Sequence, residues 1–182
     1  MIFYFTESIV EKKDVIYDPE TERVDEINED LTLIQKKRGL TFGTDAYLLS
    51  AFAKASKYGS AADLGSGTGV IALLCATKNK YNKVYAVEVQ TDFASLIRRN
   101  VSLNGLEDKV TVINRDVREI SQKDTCGEVD CVLMNPPYMK NTCGLTNDND
   151  ALSLARHEIA CTLEDVIQTA SYLLRPGGKL FM

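Results

Sequence analysis

The 182 residues suffice for one domain with a substantial core, and 45% hydrophobic against 26% charged residues is the balance of a soluble globular chain. A net charge of -5 excludes a general basic field for polyanions, so any nucleic-acid contact must come from a local patch. No apolar run nears the ~18 residues of a membrane span. The apolar start of the chain gives way to Glu7 too soon for a signal peptide. Cys75, Cys126, Cys131, Cys143 and Cys161 form no C-x-x-C pair, and with His157 as the sole histidine they make a poor zinc set. They read as reduced thiols in a cytoplasmic protein that needs no metal.

Residues 1–58 read as an amino-terminal extension rich in Asp and Glu, with strand-like pieces at 14–18 and 31–35. "GLTFGTDAYLLSAFAKA" then reads as a turn and a helix, entered at Gly43-Thr44 with Asp45 in its first turn. Leu48, Leu49, Phe52 and Ala53 are its expected apolar stripe. From residue 59 to 182 strands and helices alternate. "SAADLG" is a buried strand and "TGVIALLCATK" a helix. "KVYAVEVQ" is a second strand, followed by a helix that Thr91 caps and Asn104-Gly105 closes. Phe93, Leu96, Ile97 and Val101 line one face of that helix, whereas Arg98 and Arg99 belong to its exposed face. "KVTVINRD" and "EVDCVLMN" are the third and fourth strands. A helix capped by Thr162 ends at Pro176-Gly177-Gly178, and "KLFM" opens a fifth strand. Repeated βα units with buried strands predict an α/β fold with a doubly wound, mostly parallel sheet, cut short after about the fifth strand.

Three features converge on the carboxyl ends of these strands. "DLGSGTG" joins the first strand to the first helix; Asp63, Gly65, Ser66, Gly67 and Gly69 form a loop that lets a ligand approach main-chain N–H groups. A dinucleotide fingerprint would carry Gly or Ala where Val70 stands, which weakens a nicotinamide or flavin reading. Glu88 ends the second strand, where a carboxylate can accept both hydrogen bonds of a ribose diol. Asp116, followed by Val117, ends the third strand, placed to accept from the exocyclic amine of adenine. At the end of the fourth strand stands "NPPY", Asn135, Pro136, Pro137 and Tyr138. Two prolines end a strand and extend no ladder. A bare strand exit would require neither the asparagine before them nor the tyrosine after.

In this order the glycine loop, the acidic strand ends and N-P-P-Y resemble the class I S-adenosylmethionine-dependent methyltransferases over residues 60–182. The resemblance implies a Rossmann-like fold of normally seven strands, with S-adenosylmethionine held by the loop, Glu88, Asp116, Val117 and Asn135. It also implies methylation of a planar nitrogen conjugated to a π-system. The lone pair of such a nitrogen is delocalised. Accepting both its N–H bonds, with the Asn135 side-chain oxygen and the Pro136 carbonyl, drives it towards a tetrahedral, nucleophilic geometry. The rigid Pro136-Pro137 pair preorganises those acceptors, and Tyr138 offers a stacking face.

Gln35, Gly39, Phe42, Thr44-Asp45-Ala46 and Leu48-Leu49 resemble the corresponding segment of the bacterial tRNA adenine-N6-methyltransferases that modify valine tRNA. The resemblance implies adenine N6 in tRNA as acceptor; a monomer is expected, with no membrane partner. Lys36, Lys37 and Arg38 are a dense basic cluster suited to phosphate, and equally to a solvated hairpin turn. Other readings stay open. A protein glutamine N5-methyltransferase shares N-P-P-Y but usually adds a helical amino-terminal domain, and a DNA adenine enzyme would need a further recognition domain. A ribosomal RNA guanine-N2 enzyme fits, as does a cofactor-binding module without catalysis. Residues 139–158 read as a polar loop over the substrate, with His157 and Glu158 bracing its return.

Overall fold

The computed structural model describes residues 17–38, 43–135 and 162–182. Two strands come first, β1 (Glu22–Asn28) and β2 (Leu31–Lys36), paired antiparallel. Then follow α1 (Thr44–Phe52), β3 (Ser56–Leu64), α2 (Val70–Thr77), β4 (Tyr81–Val87), α3 (Thr91–Leu103) and β5 (Val110–Ile113). A 3-10 turn over Val117–Glu119 leads to β6 (Val129–Leu133), α4 (Leu163–Leu173) and β7 (Leu174–Phe181).

Five strands form one parallel sheet in the order β5-β4-β3-β6-β7. The chain winds outward through β3, β4 and β5, then returns to lay β6 on the other side of β3. Right-handed crossovers therefore put α2 and α3 on one face and α4 on the other. The core divides the same way. Leu73, Leu74, Val84 and Ile97 lie in one cluster with α1 and α2, and Tyr85, Val132, Val166 and Leu173 in another beneath α4. This is the doubly wound fold expected from the βα alternation.

The hairpin packs on the α2–α3 face. Leu31 and Leu33 enter the larger core, while Ile34 joins Phe93 and Leu96 of α3. Its outer edge is closed by side chains rather than by a strand. The Asn100 amide oxygen accepts from Ile34 N at 2.7 Å and its nitrogen donates to Ile34 O at 3.0 Å. One turn on, Asn104 makes the same pair of bonds with Thr32, at 3.0 and 2.7 Å. Two amides at i and i+4 thus replace a missing neighbour, which protects an edge that would otherwise pair with other chains.

Several local expectations are corrected. Residues 14–16 of the expected strand over 14–18 lie outside the described residues, and Tyr17 and Asp18 are not in a strand. The unforeseen β1 carries Val24 and Ile27, whose spacing breaks the two-residue alternation because the register shifts between Glu26 and Asn28. Gln90 rather than Thr91 caps α3, and the Thr91 hydroxyl donates to Asn114 instead. Arg99 is no free surface residue: it grips Glu22 of β1 through both carboxylate oxygens, at 2.5 and 2.8 Å. β7 begins at Leu174 and absorbs Pro176-Gly177-Gly178 as an irregularity between Val129↔Leu174 and Cys131↔Lys179. Thr162 caps α4 as expected, in a reciprocal box with Asp165.

The stripe of α1 is met only in part: Ala53 is buried and Leu49 packs against the core, but Leu48 and Phe52 do not. Ala46, Ser50 and Ala53 are buried, whereas Leu48 and Phe52 stand exposed. Small side chains let α1 lie close against α2, which turns the bulky ones outward. Its C-terminal carbonyls are gathered by Lys80, whose ammonium donates to Ser50 O, to Ala51 O at 3.0 Å and to Ala53 O at 2.8 Å.

Candidate active site

The crevice forms where the winding reverses, between β3 and β6, the position at which open α/β sheets bind ligands. Leaving β3, the backbone takes left-handed conformations at Gly65, Gly67 and Gly69, with φ of 69°, 56° and 82°. Gly69 caps α2, and a Cβ there would lie 2.9 Å from Ile97 Cγ2, so both backbone and space require glycine. Lacking a side chain, Gly69 offers α2 no cap of its own. Asp63 supplies one from beneath: its Oδ2 accepts from Ala72 N at 3.2 Å and from the Ser66 hydroxyl at 2.9 Å.

Asp63 is fully buried, and its Oδ1 has no hydrogen-bond partner. Burial raises its pKa from 3.8 to about 7, against the bonds from Ser66 and Ala72 that favour the carboxylate; nearby Glu88 adds to the rise. Glu88 follows β4 and is also buried. One of its oxygens accepts from Gly67 N and the other from Gln90 N, each at 2.9 Å. The glycine loop is therefore tied to the neighbouring strand end by an anion. Each oxygen retains capacity for a second donor. The Ser66, Gly67 and Gly69 N–H groups are engaged by Val87 O, Glu88 and Ser66 O, so what the crevice offers a hydroxyl-bearing nucleoside cofactor is the spare lone pairs of the Glu88 carboxylate.

Asp116 and Val117 lie at the next strand end. Asp116 caps the 3-10 turn and is forked by Arg118 at 2.5 and 3.0 Å, which holds its carboxyl below the usual range. Val117 is buried, its carbonyl accepting from Thr169 of α4. Val89, singled out by no motif, stands 45% exposed next to Glu88.

Asn135 follows β6 on the other side of the crevice and opens into a groove of about 590 Å³. The groove is walled by Asp45, Leu48 and Phe52 of α1 and by Phe181 and Met182. Pro136, Pro137 and Tyr138 lie outside the described residues, as do Gly39, Phe42, His157, Glu158, Cys143 and Cys161. Of the basic cluster, Lys36 sits 4.6 Å over the Phe93 ring and 3.8 Å from Asp92. Lys37 donates to Pro19 O at 2.7 Å, and Arg38 is exposed. Phe93 belongs to the first turn of α3, so the hairpin brings the cluster to the sheet end that carries Glu88. Among the described residues no group of acidic, Cys and His side chains could hold a metal, and no helix is long and apolar enough to cross a membrane.

The methyltransferase small domain family model matches residues 36–182. The chain belongs to that family. A curated relative in Porphyromonas gingivalis, tRNA1(Val) (adenine(37)-N6)-methyltransferase, is 33% identical over 76% of this chain and 56% of its own length. A relative of the same name in Trichodesmium erythraeum is 33% identical over 82% of this chain and 62% of its own. The chain thus spans little more than half the length of the curated relatives it matches. Among solved structures, a tRNA m1G37 methyltransferase of M. jannaschii aligns with a TM-score of 0.61 at 20% identity, over 90% of this chain and 43% of that one. That likeness shows the Rossmann-like fold.

Proposed function

We propose that this chain carries the catalytic core of an S-adenosylmethionine-dependent N-methyltransferase that acts on the exocyclic amine of a nucleobase, adenine N6 in tRNA. The observation that carries the reading is that the Glu88-tied glycine loop and Asn135 leave the ends of paired strands, with Asp63 opposite Leu133 and Gly65 against Met134. The names of the relatives support the substrate. An enzyme of this kind works in the cytoplasm.

The glycine loop and Glu88 hold the cofactor's nucleoside and amino-acid parts, with Asp116 facing its adenine amine and Val89 and Val117 its ring. Asp63 keeps Ser66 and the first turn of α2 in place beneath it. The bound cofactor supplies an electrophilic methyl group on a sulfonium. Asn135 Oδ1 accepts one N–H of the target amine and the Pro136 carbonyl the other, so the nitrogen's lone pair is freed from the ring. The methylated nitrogen is acidic enough to lose its proton to water, so no strong base is needed.

Asn135→Ala should leave cofactor affinity nearly intact and cut turnover on unmodified tRNA by a factor of about a hundred or more, comparable to the loss of one oxyanion-hole donor. Nucleoside mass spectrometry of tRNA from a deletion strain should show an N6-methyladenosine peak lost. An unchanged nucleoside profile would move the assignment to protein glutamine; wild-type turnover by Asn135→Ala would end the mechanism.

A further inference from the structure

Glu88 and Asp116 stand at neighbouring strand ends, yet their hydrogen bonds leave them different capacities. An ionised carboxylate has about four acceptor positions, two on each oxygen. Glu88 uses one per oxygen, for Gly67 N and Gln90 N, so each oxygen can take one further donor. Among the described residues Asp116 already accepts three bonds, all from Arg118. Its Oδ1 accepts from the Arg118 backbone N at 2.9 Å and from Nε at 3.0 Å, and its Oδ2 from Nη2 at 2.5 Å. One position remains, on Oδ2. The turn that carries this fork is fixed against α4: Val117 is buried, and its carbonyl accepts from the Thr169 hydroxyl at 3.2 Å.

Resting on the activity proposed above, we propose that Arg118 is the positioning residue that makes Asp116 a one-donor acceptor for the exocyclic amine of the cofactor's adenine. A ribose diol brings two O–H groups and suits the two open oxygens of Glu88. A ring amine needs a single oxygen held in one place. The planar guanidinium fixes both Asp116 oxygens at once, which a lysine ammonium does not. The same fork holds the carboxyl below its usual range, so Asp116 stays ionised and only accepts.

Adenosine and purine riboside differ only in that amine. Competition of each against labelled S-adenosylhomocysteine reads the preference without methyl transfer. The wild-type protein should favour adenosine about tenfold or more, the contribution of one charge-assisted bond. Arg118→Met should narrow the preference to about threefold or less, because the freed Asp116 side chain turns to water. Arg118→Lys keeps the charge without the fork and should not restore the preference. On an Asp116→Asn background, Arg118→Met should shift the ratio no further, since Arg118 acts through that carboxylate. A merely structural ion pair would lower both affinities together and leave their ratio as it was. That result overturns the proposal, as does a ratio restored by lysine or a further shift on the Asp116→Asn background. A wild-type protein that holds S-adenosylhomocysteine but prefers neither nucleoside refutes the role of Arg118 alone. One that holds no S-adenosylhomocysteine refutes the activity itself, and this role with it.

Discussion

Asp63 combines complete burial, an unpartnered oxygen and a pKa raised to about 7 by that burial. In the unfolded chain its proton leaves near 3.8. Between these values the folded state binds more protons than the unfolded one. The contribution of Asp63 to stability is therefore full below about pH 4 and is lost as pH rises through 7. Asp63→Asn should remove this component: the stability difference between variant and wild type, followed by denaturant unfolding at each pH, should drift between pH 4 and 7 and level off above. A constant difference would mean that Asp63 is charged throughout. Glu88 makes the complementary case, because its two oxygens hold Gly67 N and Gln90 N. Glu88→Ala should weaken S-adenosylmethionine binding by one to two orders of magnitude in calorimetry, since each charge-assisted bond contributes ~1.5–3 kcal/mol. Wild-type affinity would take Glu88 out of the site.

At the scale of elements, two side chains each satisfy several backbone groups where an element meets the α2–α3 face. Asn100 is fully buried and occupies both Ile34 N and Ile34 O. Asn100→Ala should cost about 2–4 kcal/mol, because two backbone groups lose partners in the interior. Hydrogen exchange should show the hairpin losing protection before the sheet does. Lys80 gathers three carbonyls at the end of α1, where a cation also meets the negative end of the helix dipole. Lys80→Met keeps the aliphatic stem and should cost about 2 kcal/mol of unfolding free energy. If thermal denaturation showed no change, water would be serving those carbonyls equally well.

For the molecule as a whole, a net charge of -5 means that the proposed tRNA substrate would have to be held by local cations. Lys36 is occupied by Phe93 and Asp92, and Lys37 by Pro19 O. Arg38 is exposed, as is Lys37. Replacing Arg38 with Ala should flatten the plot of log affinity against log salt by about 0.7–0.9, the release of one phosphate's counterions. Lys36→Ala should act more on hairpin stability than on that slope. Titrations of a tRNA transcript across a salt series separate the two effects, and a slope unmoved by both changes would place the RNA elsewhere.

What the sequence determined by itself is what depends on near neighbours. Buried strands read as apolar runs, Thr162 and Asp165 meet within one turn, and the glycine loop's conformation follows from residues in direct succession. The sheet's parallel winding was legible because βα alternation admits few topologies. Tertiary structure decided the contacts made across long separations. Periodicity shows that α1 has two faces, yet not which one meets the core; close packing chose Ala46, Ser50 and Ala53 and left Leu48 and Phe52 beside Asn135. Arg99 reads as a surface charge until the hairpin brings Glu22 to it from 77 positions away. Asp63 reads as the end of the buried strand "SAADLG", and only the tertiary structure leaves its Oδ1 without a hydrogen-bond partner. Charge, burial and partner are set by the solvent a side chain loses on folding, and one-dimensional order does not carry that quantity.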